Sequence, residues 1–242
     1  MKKTTCLLLA CCLLCIAGLS QPITSPYRFP VQPGSTEWQS FKSVEDMYQA
    51  CQVPPGILAR LTTGALIQTC LSYPARIVLL AHNTPQQGFD DWKKNFNGIT
   101  ALLQRSDAGE ALLLSYAGFD TRGHTAFKAA ADKGNYTFSL QIIEAILAQD
   151  EITNRLTIAQ QKQLLKTSLE KYKSKQADEV YGFNSITYTG RIISKLSIGL
   201  NNKTIKPATA DDTQQFIRTG LLKDRQLLLD RVSEARKINT DK

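Results

Sequence analysis

Residues 180–200 read VYGFNSITYTGRIISKLSIGL, and whether they fold as a hairpin or a helix decides the class of the whole chain. The hairpin case rests on β-branched and aromatic residues, with Thr189-Gly190 at the turn. The helix case rests on Ile186, Ile193, Leu196 and Leu200, which share one face at helical spacing. Gly190, on or near that face, would let a neighbouring helix come close. An isolated hairpin is only marginally stable in water, and the flanking sequence is helical on both sides. A helix is therefore expected here, and with it an all-α chain.

The flanks carry the start signals that helices need. Ser43 with Asp46 three residues on is a weak capping box before VEDMYQACQ, whose Val44, Met47, Tyr48 and Cys51 form one face. Pro54-Pro55 restart the chain, and Thr62 can cap GALIQTCLSY, which Pro74 stops. Thr84-Pro85-Gln86-Gln87 is the strongest start, joining a capping hydroxyl, a proline where no donor is needed and a glutamine that reaches back. Phe89, Trp92, Phe96, Ile99, Leu102 and Leu103 follow on one side. Asp107 is expected to begin the next helix and Gly118 to end it. TFSLQIIEAILAQ (137–149) is apolar on three sides and reads as central. Thr157 caps IAQQKQLLKTSLEKYKSK, with Ile158, Leu164, Leu165, Leu169 and Tyr172 as the buried stripe and the lysines as the wet one. Thr209 and Asp212 are expected to start a C-terminal pair that turns Phe216, Ile217, Leu228 and Val232 inward. Short elements and tight turns suggest an irregular stack of antiparallel helix hairpins, solenoid-like or a bundle.

The chain opens MKKTTCLLLACCLLCIAGLSQ. Lys2 and Lys3 precede an apolar run from Cys6 to Leu19, too short to cross a hydrocarbon core as a helix, which takes roughly 20 residues. This is the pattern of a secretory signal over residues 1–20, with small Gly18 and Ser20 before a cut at Gln21. The rival reading attaches lipid at Cys11, after Leu8-Leu9-Ala10. Residues 21–40 are rich in proline and are expected to be a tether, and 41–242 a single helical domain. Cys51 and Cys70 are the two cysteines beyond the signal. Either they are bridged, as export would permit, or they are separate buried thiols.

Residues 21–154 hold ten basic against twelve acidic side chains, and residues 155–242 hold seventeen against nine. The basic half suits an anionic partner, or is simply the wet face of amphipathic helices. No aromatic-rich nucleic-acid module is visible, so no nucleic-acid partner is expected.

The segments QVPPGILARLTTGALIQTCLSYP (52–74), GFDDWKKNFNGITALLQRSDAGEALL (88–113) and IIEAILAQDEITNRLTIAQQKQLLKTSLEKY (142–172) resemble a family of exported, all-helical bacterial proteins of unknown function. The resemblance covers most of residues 40–235. It implies export and a helical fold, with no active site to carry across.

Catalytic motifs are sparse. There is no nucleophile elbow, phosphate loop, dinucleotide fingerprint or zinc-binding histidine spacing. His82 reads as a helix-terminal residue. Asp120 and His124, in GFDTRGH, can in principle form an acid–base pair, and the same letters also describe an ordinary turn. Asp90-Asp91 and Asp211-Asp212 read as first-turn residues that complement helix dipoles. No catalytic, cofactor or metal residue is assigned. The expectation is an exported cell-envelope protein, periplasmic, secreted or held at the outer membrane as a lipoprotein. It would bind a protein, peptide or glycan partner, with no membrane span in the mature chain. The alternatives are a hydrolase near Asp120 and His124 and a structural lipoprotein anchored through Cys11.

Overall fold

The computed structural model describes residues 21–201 and 207–240. The expected signal segment, with the cleavage site at Ser20 and the lipid-attachment reading of Cys11, lies outside the described residues. Within them the chain is all-α. The order is α1 (Thr36–Ser40), α2 (Val44–Ala50), α3 (Pro55–Leu58), α4 (Thr63–Leu71), a 3-10 helix (Arg76–Leu80), α5 (Pro85–Asn95), α6 (Asn97–Gln104) and α7 (Ala108–Gly118). A second 3-10 helix (Gly123–Ala126) precedes α8 (Ala130–Leu147), α9 (Asp150–Thr153), α10 (Ile158–Gln176), α11 (Phe183–Asn201), α12 (Pro207–Thr219) and α13 (Arg225–Thr240). None of the described helices is long and apolar enough to cross a membrane.

The deciding stretch is helical: Phe183–Asn201 is one uninterrupted helix. Gly190 does what its position suggested. A Cβ built there would lie 2.2 Å from Leu228 Cδ1, so the missing side chain is what lets α13 press onto α11. The local starts also form as their letters dictate. Ser43/Asp46, Thr84/Gln87 and Thr157/Gln160 each make the reciprocal capping box, and the Thr62 hydroxyl accepts from the Ala65 N–H. Asp107 is an exception. Its carboxylate accepts from the Thr63 hydroxyl at 2.8 Å instead of capping its own helix, so it ties α7 to α4.

Residues 21–32 form neither helix nor strand, in keeping with Pro22, Pro26 and Pro30, and Pro33-Gly34 turn the chain into α1, but the segment does not form a free tether. Ile23 pairs in parallel with Leu61, through Ile23 N to Arg60 O at 2.8 Å and Thr62 N to Ile23 O at 2.9 Å. The Tyr27 N–H donates to Thr69 Oγ1 at 2.9 Å, and Phe29 is only 5% exposed. The segment is a strap that inserts an aromatic ring into the core. There Phe29 meets Tyr73 edge-on at 5.9 Å, and Tyr73 stacks on Phe96 at 4.1 Å beside fully buried Trp92. Cys51 and Cys70 are free, buried thiols in this same core, so the bridged alternative is not realised.

The long helices make a second, contiguous part of the core. α10 and α11 pack together, α13 lies against both, and α8 sits between α7 and α11. α12 reaches back to α5. Contacts therefore skip along the chain rather than joining only successive hairpins, which a solenoid would require. Gly220, with a φ of 75°, ends α12 in the left-handed region that glycine tolerates and packs against Pro85.

The basic residues are used differently from the expectation. Lys171 and Lys175, expected on the wet face of α10, are both buried. Lys171 Nζ donates to Phe119 O at the end of α7, and Lys195 Nζ to Ala148 O at the end of α8. Arg191 donates to Ile217 O and Arg218 O in the last turn of α12. Arg155 donates to Leu103 O and Arg105 O at the end of α6. Each places a cation on the partly negative carbonyl end of another helix. Ile158 and Val44, expected inward, are 62% and 52% exposed, because each lies in the first turn of its helix.

Candidate functional site

The sequence-predicted pair does not assemble. Asp120 Oδ1 accepts from the Arg122 N–H at 2.9 Å, an Asx turn, and its carbonyl accepts from the Tyr136 hydroxyl. His124 is buried, and its Nε2 lies 2.7 Å from Asp178 Oδ2, a carboxylate that sequence reading did not single out. His124 Nδ1 has no hydrogen-bond partner, so no third group extends the dyad. Neither Asp120 nor His124 lines a described cavity.

The remaining carboxylate pairs also differ from expectation. Asp90 and Asp91 lie in the middle of α5, where Asp90 accepts from Gln86 and Asp91 from the Tyr48 hydroxyl at 2.9 Å. His82, just past the first 3-10 helix, lies 3.4 Å from Asp91. Asp211 and Asp212 are interior to α12, which begins at Pro207, ahead of the expected Thr209. Among the described residues no three His, Cys, Asp or Glu side chains converge as metal ligands would.

The most concentrated polar chemistry is one that composition hid. Glu144 on α8 and Lys175 on α10 form a fully buried ion pair at 2.6 Å. Glu144 Oε1 also accepts from the Tyr116 hydroxyl at 2.9 Å and the Thr189 hydroxyl at 2.8 Å. Lys175 Nζ donates further to Ser185 Oγ at 3.1 Å and Thr189 Oγ1 at 3.0 Å. Burial lowers the Lys175 pKa, opposed by the Glu144 charge, and the same burial raises that of Tyr116. The cluster pins α7, α8, α10 and α11 to one another. A signal for it existed: Leu164, Ser168, Lys171 and Lys175 recur at helical spacing on the face that α10 buries.

Ser185 connects this cluster to the surface. It lines a cavity of about 660 Å³ between the first 3-10 helix, the N-terminal half of α8 and the start of α11. Three apolar side chains stand exposed at that cavity: Ile77 (63%), Leu80 (48%) and Phe183 (46%). Its polar lining is neutral. It includes Asn135, Asn184 and buried Gln141, whose Nε2 lacks a hydrogen-bond partner. A second cavity, of about 900 Å³, shares Ile77, Asn135 and Phe138 with the first and runs toward Trp38 of the strap side. No Asp or Glu lines either one. Together they form a groove with aliphatic and aromatic walls and amide and hydroxyl groups along it. Such surfaces bind by removing apolar side chains from water while neutral polar groups fix orientation.

Comparison of the chain with protein-family models, with curated proteins and with solved structures found no match.

Proposed function

We propose that this protein is an exported cell-envelope binding module that holds an extended peptide segment in the groove between Arg76–Leu80, α8 and the start of α11. Export follows from the signal-like opening, and the family resemblance points the same way. The observation that carries the reading is the convergence of exposed Ile77, Leu80 and Phe183 on one cavity without a carboxylate. Aliphatic side chains so placed desolvate the side chains of a peptide, and the neutral amides of Asn135 and Gln141 suit its backbone. A glycan would call for flat aromatic platforms at that position, whereas two of the three exposed groups are aliphatic.

The test uses a fluorescein-labelled pool of random hexapeptides, read by anisotropy, with the chain from Gln21 onward. Covering one large aliphatic side chain stabilises by ~1.5–3 kcal/mol. Ile77→Asp and Leu80→Asp should therefore each weaken binding by about tenfold or more. The thermal midpoint should stay unchanged, because both side chains are solvent-facing. Undetectable binding of the wild-type chain at millimolar peptide, or equal binding by both variants, would refute the assignment.

A further inference from the structure

Arg76 lines the second cavity beside Ile77, where the two cavities share a wall. Its Nη1 donates to Leu71 O and to Ser139 Oγ at 3.4 Å, its Nη2 to Asn135 Oδ1 at 3.0 Å, and the guanidinium stands 5.5 Å over the Phe138 ring. A guanidinium carries five N–H donors. These contacts occupy three of the five and leave the Nε hydrogen and one Nη2 hydrogen without a partner among the described residues, which are donors of the kind that arginine offers to a carboxylate.

Arg76 shares with Lys171, Arg191 and Lys195 the device of donating to a helix end, and differs from them in one respect. Lys195 lies 2.6 Å from Asp150, and carboxylates also act on Lys171 and Arg191. Among the described residues Arg76 has no carboxylate within ion-pair distance, and desolvation is the only influence that lowers its pKa. A half-buried cation with free donors and no counter-charge, at the side of a groove without acidic residues, is complementary to one negative charge on whatever fills that groove.

We propose that Arg76 anchors the C-terminal carboxylate of the bound peptide, with the preceding side chains laid toward Ile77, Leu80 and Phe183. This rests on the peptide reading above. The terminus is favoured over an acidic side chain because it is the one carboxylate that every free peptide carries, and the groove offers one cation.

The experiment compares three forms of one N-labelled hexapeptide pool ending in apolar residues: the free acid, the C-terminal amide, and the amide with Asp as its last residue. The free acid should bind at least tenfold tighter than the amide. Arg76→Gln should bring that ratio close to one, and Arg76→Lys, which keeps a charge without the fork, should leave it intermediate. Equal affinity of acid and amide would overturn the anchor while leaving the peptide groove standing. An Asp-terminated amide as tight as the free acid would overturn the choice of terminus. No binding by any form would sink the peptide reading itself. If Arg76→Gln fails to fold, the wild-type acid-to-amide ratio still decides.

Discussion

Replacing Lys175 with Met removes the cation of the buried pair and keeps most of the side-chain length. Glu144 is then left fully buried, with the Tyr116 and Thr189 hydroxyls as its remaining donors. Stranding one member of a buried pair costs about 3–5 kcal/mol. With a urea slope of ~2 kcal/mol per molar, the unfolding midpoint should fall by roughly 1.5–2.5 M. Adding Glu144→Gln should recover most of the loss. The Gln oxygen still accepts from Tyr116 and Thr189, and no charge is left behind, so the double variant should sit within ~1–2 kcal/mol of wild type. Urea melts of wild type and both variants, followed by circular dichroism at one pH, measure this. A Lys175→Met midpoint within about 0.5 M of wild type, or a double variant no more stable than the single one, would show that the pair does not lock these helices together.

Further outcomes rest on packing and burial. Gly88→Ala should destabilise by ~1–3 kcal/mol, because a Cβ would lie 2.4 Å from the backbone oxygen of Leu79, which cannot move aside. Gly134→Ala on α8, where a Cβ meets nothing within 4 Å, should stabilise by ~0.5–1 kcal/mol, and thermal melts of the two variants should move in opposite directions. Burial pushes the Cys51 thiol up to about 11 and raises Cys70 as well. Their contribution is complete below the unfolded thiol pKa near 9 and is lost as pH climbs through 11, so the urea midpoint should fall over pH 9–11, with a shallower fall in Cys51→Ala/Cys70→Ala. In the chain from Gln21 onward, Ellman's reagent should find two thiols that react only after unfolding.

What the sequence revealed depended on the range of the interaction. Capping boxes are written within four residues, so Ser43, Thr84 and Thr157 could be read directly. Gly190 was legible because a missing side chain on an apolar face has few other uses. Phe29 was not. A proline-rich extended segment has no periodicity that separates a strap from a tether, and only the Thr69 hydroxyl and Leu61 edge that receive it make the difference. Asp120 and His124 stand four positions apart, a spacing that admits either a pair or a turn; the chain between them is a turn leading into a 3-10 helix, and the His124 ring reaches Asp178, 54 positions away. Residue type alone puts Lys171 and Lys175 on the wet face, whereas their spacing from Leu164 and Ser168 puts them on the buried one. The groove joins three separated segments, and no local pattern announces such a meeting.

The inward cations also change how the basic half is to be understood. Net charge alone suggested a surface for an anionic partner. Yet Lys171, Arg191 and Lys195 end on helix carbonyls, Lys175 lies on Glu144, and Arg231 pairs with Glu234. Short helices leave many carbonyl ends per unit of chain, each carrying a partial negative charge and unsatisfied acceptors. A chain built from thirteen described helices, several of only four or five residues, needs donors for those ends. Long basic side chains can reach them from a neighbouring helix while their stems cover apolar surface. Part of the positive excess in residues 155–242 is thus a consequence of the architecture, and it says nothing about a partner. In the peptide reading proposed above, the charge that bears on binding is the one that caps a helix and still keeps unpartnered donors beside an open groove, as Arg76 does.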